Sequence, residues 1–180
     1  MKDTVRMALD MDPVPAIDIF ASAGGLTLGF KEANIQTVCA VEIEKHRVAT
    51  FARHTPTANI LNEDVQRIDF SKYTGKVELI YGGPPCQPFS SGGQQRATRD
   101  ERNMIPAFIR AIATVRPAAF FMENVPGLVT GDRRAYFVKI LAEYRSLGYT
   151  VAWKVINAAD YGVPQKRRRL FVVGLRGREF

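Results

Sequence analysis

Short apolar runs alternate with helix-patterned segments along this chain, and nearly every run delivers a small or chemically active residue at its carboxyl end. The runs are Ala16–Phe20, Thr37–Val41, Val77–Tyr81 and Ala118–Met122, with a shorter one at Asn59–Leu61. Helical spacing occupies the intervals Leu26–Ala33, Glu44–His54, Met104–Val115 and Arg133–Leu147. The last helix shows an apolar face at Phe137, Ile140, Leu141 and Tyr144, and Gly148 ends it. Strands without in-out alternation, joined through helices, require a largely parallel sheet covered on both faces. The fold class expected is therefore α/β with a mostly parallel, doubly wound sheet. Tyr149–Ile156 and Leu170–Gly174 predict a closing strand pair.

At 180 residues, 46% of them hydrophobic, the chain has enough material for one domain with a substantial core. No apolar run reaches membrane-spanning length, and the first residues lack the apolar stretch of a secretory signal. Its two cysteines, Cys39 and Cys86, offer no disulfide framework, which points to a reducing cytoplasm. Cys39 falls inside a strand and reads as core. A net charge of +7 fits a polyanionic partner, and equally a generally basic soluble protein. The placement of that charge is more telling. Arg96, Arg99 and Arg102 follow one candidate loop, and Lys166 to Arg169 enter the last strand.

The candidate loop is Gly82-Gly83-Pro84-Pro85-Cys86-Gln87-Pro88-Phe89-Ser90. It sets a lone cysteine just past a strand's carboxyl end, where open α/β sheets bind ligands. Three prolines stiffen it. A thiol held so rigidly reads as a nucleophile; the alternative is a tight turn carrying an incidental cysteine. Phe120-Phe121-Met122-Glu123-Asn124-Val125 delivers Glu123 to a sheet edge in the same way, the alternative being a capping or loop acid. In Gln165 to Gly174, strand alternation puts Arg167 and Arg169 on one face, able to grip a carbonyl or phosphates. A solvated basic edge strand is the simpler account of that run.

Asp18-Ile19-Phe20-Ala21-Ser22-Ala23-Gly24-Gly25 joins the first strand to the first helix with small residues that admit a ligand. It is not the G-x-G-x-x-G dinucleotide fingerprint, which disfavours a nicotinamide enzyme. Glu42 ends the second strand, where such folds place an acid on ribose hydroxyls, and Asp64 follows the third. One nucleoside cofactor across three strand ends accounts for all of these; each acid alone is also a common helix cap.

Taken in order, these segments resemble the DNA cytosine-5 methyltransferases, from Asp18 to about Gly174. The resemblance implies a Rossmann-like S-adenosylmethionine-dependent methyltransferase. Phe20, Ala21, Ser22, Gly24, Gly25, Glu42, Asp64 and Pro85 would bind S-adenosyl-L-methionine, and no metal is expected. Cys86 would add to C6 of a flipped-out cytosine in DNA, and Glu123 would hold the pyrimidine N3 edge. Arg167 and Arg169 would contact the base carbonyl or the backbone. Ser90–Arg102, with Gly92 and Gly93 as hinges, would be a mobile cover. An RNA cytosine methyltransferase, or an inactive binding or regulatory fragment, would share the same core. Two departures stand out. Ser22 occupies a position where the family usually has glycine. Nothing before Phe180 resembles a target-recognition region, so residues 1–180 are expected to be an incomplete catalytic core: a truncated piece, a decayed gene product, or one subunit of a split enzyme, completed by a complementing chain or by the rest of its own reading frame.

Overall fold

The computed structural model describes residues 12–86 and 103–179. They fall into two compact units, Met1–Gly82 with Thr114–Pro117, and Gly83–Ala113 with Ala118–Phe180.

In the first unit, β1 (Val14–Ile19), β2 (Ile35–Val41), β3 (Asn59–Leu61) and β4 (Leu79–Gly82) lie in the order β3-β2-β1-β4. All three pairings are parallel. Ile17, Asp18 and Ile19 are successive residues with no exposure, so both faces of β1 are covered. Helix α1 (Gly25–Lys31) follows β1, and α2 (Lys45–His54) follows β2. Phe51 of α2 packs with Ala21 and Ala40. Gly82 is obligatory: a Cβ there would overlap the Ile19 carbonyl of the neighbouring strand. Cys39 is buried core, with Tyr73 Oη donating to its sulfur at 3.0 Å.

Strand boundaries differ from the sequence reading at several points. β1 starts at Val14, because Pro15 is already extended and pairs with Gln36. It ends at Ile19, because Phe20 turns into the left-handed region at φ 67°. β4 begins only at Leu79, where pairing to Ala16 of β1 begins.

In the second unit, β5 (Ala119–Asn124), β6 (Tyr149–Asn157) and β7 (Arg168–Arg176) lie in the order β5-β7-β6, both pairings antiparallel. Helices α3 (Ile105–Val115) and α4 (Arg134–Ser146) belong with them, apart from the last residues of α3. α4 buries Phe137, Ile140, Leu141 and Tyr144, the i, i+3, i+4, i+7 face read from the sequence. Phe120 of β5 lies opposite Gly174 of β7, and any side chain at 174 would collide with its ring. That gap lets Phe120 stack on Tyr144 at 4.1 Å and meet Tyr149 edge-on at 5.2 Å.

Candidate active site

In the second unit, three successive residues of the cysteine loop are tied down by their main chain. Asn124, 3% exposed at the end of β5, donates from Nδ2 to the Pro84 carbonyl at 3.0 Å. Met104 N–H donates to the Pro85 carbonyl at 2.9 Å. Cys86 itself forms an antiparallel bridge with Asn103. The thiol is half-buried. Burial pushes its pKa up, and the charge of Arg133 pulls the other way. Most of the sulfur is therefore protonated at neutral pH.

Glu123 and the two arginines come together. Arg169 Nε lies 2.7 Å from Glu123 Oε1, and Arg167 Nη2 lies 3.8 Å from the same oxygen. The register explains this. Asn124 pairs with Leu170, so Arg169 and Arg167 continue β7 past the end of β5, alternate residues reaching one side. The other carboxylate oxygen sits over the cysteine loop, 3.1 Å from where a Cβ on Gly83 would be. Gly83 thus leaves room for Glu123 beside Pro84, and Asn124 links that strand end to the same loop.

In the first unit, the loops after β1, β2 and β3 lie side by side at the strands' carboxyl ends. The turn into α1 carries three left-handed residues, Phe20 at φ 67°, Ser22 at 51° and Gly24 at 93°. A Cβ on Gly24 would press on Phe51 at 3.0 Å, whereas Gly25 opens onto free space. Ser22 thus stands in a conformation that favours glycine, which costs roughly 1–2 kcal/mol. Glu42 is 6% exposed and accepts from Ser22 N–H and Glu44 N–H, each at 2.8 Å. Asn62 Nδ2 donates to the Glu42 and Ile43 carbonyls at 3.0 and 2.8 Å, joining the third loop to the second. Asp64 accepts from Gln66 N–H at 2.9 Å, and so caps a short helical turn. Pro85 belongs to the other unit and is exposed.

Below this loop is a buried polar chain. Thr27 Oγ1 donates to Asp18 Oδ2 at 2.6 Å and meets Tyr81 Oη at 2.8 Å, which in turn meets Thr37 Oγ1 at 2.5 Å. Asp18 is fully buried, and its Oδ1 has no hydrogen-bond partner among the described residues. Burial first, then the charge of Glu42, raise its pKa to about 7, against the lowering effect of the Thr27 hydrogen bond.

Several of these residues were not singled out in the sequence. Asn103, Arg133 and Tyr136 surround the cysteine loop from distant parts of the chain. Ile43 is an apolar side chain 61% exposed between two acids. Gln87, Ser90–Arg102, Gly92, Gly93, Arg96 and Arg99 lie outside the described residues. Those described contain no cluster that would hold a metal ion and no helix long and apolar enough to cross a membrane.

A model of the C-5 cytosine-specific DNA methylase family matches residues 14–179. The chain belongs to this family. It is 39% identical over 162 residues to the Type II methyltransferase M.PspPI of Psychrobacter sp. (strain TA137), across 89% of this chain and 39% of that one. It is 44% identical over 158 residues to M.AplI of Arthrospira platensis, across 87% and 44%. The chain thus spans less than half the length of either relative. Among solved structures it is similar to a protein assigned as a DNA modification methyltransferase encoded in an E. coli prophage. The TM-score is 0.77 at 30% identity, over 91% of this chain and 47% of the other. The Spodoptera frugiperda DNMT2 E260A/E261A/K263A mutant gives 0.73 at 25% identity, over 91% and 50%. These likenesses establish the methyltransferase α/β fold.

Family membership implies S-adenosylmethionine as cofactor, and the first unit fits it. The turn at 20–25 keeps side-chain bulk away at Gly24 and Gly25. Carboxylates stand at the ends of β2 and beside β3, and Ile43 offers an exposed apolar face for a flat ring. Glu42 still has lone pairs beyond the two amides it accepts from.

Proposed function

We propose that this chain carries the chemistry of a DNA cytosine-5 methyltransferase of the restriction-modification type. The observation that supports this most is the convergence of Glu123, Arg167 and Arg169 beside a cysteine loop pinned at Pro84, Pro85 and Cys86. Phe20, Ala21, Ser22, Gly24, Gly25, Glu42 and Asp64 would hold the cofactor. S-adenosylmethionine, when bound, supplies an electrophilic methyl group.

The residues' work follows from the chemistry of cytosine. C5 is a poor nucleophile in the intact ring. The Cys86 thiolate forms a bond to C6, and the ring's electron pair shifts so that C5 becomes nucleophilic. Glu123 holds the N3 edge where charge changes, its carboxyl positioned by Arg169. Arg167, the more exposed of the pair, is placed to meet the base carbonyl or the neighbouring phosphate. Once C5 carries the new methyl group, loss of its proton expels the thiolate and restores the ring. Geometry of this kind cannot be reached in a stacked duplex, so the base must be flipped out. DNA is favoured over RNA, and an active enzyme over an inactive binding fragment, by the family and by the Type II relatives. We place the protein in the bacterial cytoplasm.

The test is covalent trapping. DNA bearing 5-fluorocytosine accumulates an adduct, because fluorine at C5 blocks the final elimination. Cys86→Ser abolishes the adduct and Cys39→Ser leaves it. An adduct that persists in Cys86→Ser refutes the assignment. Methylation mapped by bisulfite sequencing, for this chain alone and with a complementing chain, decides where target recognition resides.

A further inference from the structure

The Cys86 loop is held by more than the residues that would touch the base. Asn103 is 8% exposed and has three attachments. Its main chain bridges to Cys86. Its Oδ1 accepts from Ile105 N–H at 3.3 Å, at the start of α3. Its Nδ2 donates to Tyr136 Oη at 2.6 Å, on α4. Next to it, Met104 N–H holds the Pro85 carbonyl at 2.9 Å. The segment paired with the cysteine is therefore tied to two helices through one amide side chain.

We propose that Asn103 and Tyr136 are positioning residues for the nucleophile: their hydrogen bond ties the strand segment paired with Cys86 to helix α4, and so sets where the thiol points. This rests on the reading of Cys86 as the nucleophile. A polar pair in a largely buried place is the costly choice, since two apolar side chains of similar shape would pack there without a directional requirement. What the pair supplies is direction. An amide-to-phenol bond of 2.6 Å fixes the Asn103 rotamer and, through the bridge, the backbone at Cys86. Among the described residues, charged and titratable groups act on both ends of this tie. Arg133 acts on Cys86. Tyr136 feels Asn103, Cys86 and Glu143.

The experiment compares two reactions of the same sulfur in the full chain. Iodoacetamide labelling of Cys86 and of Cys39 is followed by peptide mass spectrometry across a pH series, and adduct formation with 5-fluorocytosine DNA is measured in parallel. Tyr136→Phe and Asn103→Ala cut the tie from its two ends. Each should raise Cys86 labelling near neutral pH about fivefold and move its pH midpoint down, because a loosened loop admits water to the thiol. Each should slow adduct formation by about tenfold, because the thiol no longer points at C6. Cys39 labelling should not change, and the double variant should be no worse than the singles, as expected for one shared interaction. The proposal is overturned if Cys86 labelling is unaffected in both variants. It is equally overturned if Cys39 labelling rises in step, which reports general loosening, or if the two effects multiply. Labelling uses neither DNA nor cofactor, so its outcome is separate from that of the Cys86→Ser trapping test. If Cys86→Ser still traps, the functional reading fails whatever the labelling shows.

Discussion

Asp18→Asn should stabilise this protein increasingly as pH rises through and past neutral, leaving it almost unchanged only in acid at or below the ordinary carboxylate range. Asp18 is fully buried, one oxygen satisfied by Thr27 and the other without a partner among the described residues. Its pKa stands at about 7, chiefly because burial disfavours the charged form. The unfolded chain's Asp18 titrates in the ordinary carboxylate range. Between the two values the folded state binds more protons than the unfolded state, so stability falls as pH rises through that window. The loss is complete only above the folded value. From roughly pH 5 to pH 8 this one group should cost about 3 kcal/mol. Asparagine keeps an oxygen for Thr27 and cannot ionise, so the slope disappears. Its amide nitrogen replaces an atom that already lacks a partner, which makes the exchange nearly neutral against the protonated acid. Urea unfolding of both proteins at several pH values gives the difference directly. Groups common to both cancel. If the stability difference between variant and parent stays constant to within about 1 kcal/mol across that range, the buried-acid argument is wrong.

Glu42→Ala should lower stability by about 1–3 kcal/mol in urea unfolding, because Ser22 N–H and Glu44 N–H lose their shared carboxylate. Calorimetry should show weakened binding of S-adenosylmethionine or its demethylated product in the same variant. Ser22→Gly should raise stability by about 1 kcal/mol in the same unfolding assay, since φ 51° is strained for serine. A loss of stability would show that the serine side chain makes a compensating contact. Arg133→Gln should move the pH midpoint of Cys86 alkylation upward, because the charge that opposes burial is removed. A midpoint that stays put or falls would show that Arg133 does not act on the thiol.

The strands were legible because burial on both faces writes itself as apolar runs without alternation, as in Cys39 to Val41 and Leu79 to Tyr81. Their ends were less so. A left-handed residue such as Phe20 stops β1 without any Gly or Pro to announce it. Cys86, Glu123, Arg167 and Arg169 could be singled out because each lies beside an apolar strand, and the structure brings the last three together through the β5–β7 register. Asn103 had a readable sign, an Asn two residues before the first residue of α3 with Pro106 just inside it, which is cap chemistry. Tyr136 had none. It precedes buried Phe137 on a helix, and its hydroxyl matters only because another part of the chain arrives at it. Tyr81 was hidden for the same reason, an apolar strand residue by pattern whose hydroxyl joins Thr27 and Thr37.

The two units solve one problem by different means. In the first, a carboxylate is spent on backbone amides: Glu42 holds a turn that contains three left-handed residues, and that turn would otherwise relax. In the second, carbonyls of proline residues are the attachment points, because a proline has a carbonyl to give and no N–H to satisfy. Asn124 takes the carbonyl of Pro84 and Met104 that of Pro85, so this proline-stiffened stretch is held at two successive carbonyls. A thiol whose pKa is raised by burial gains nothing from mobility. In the proposed reaction its reactivity would depend on arriving at C6 in line and on a nearby positive charge. The pinned loop would supply the first requirement, and Arg133 the second.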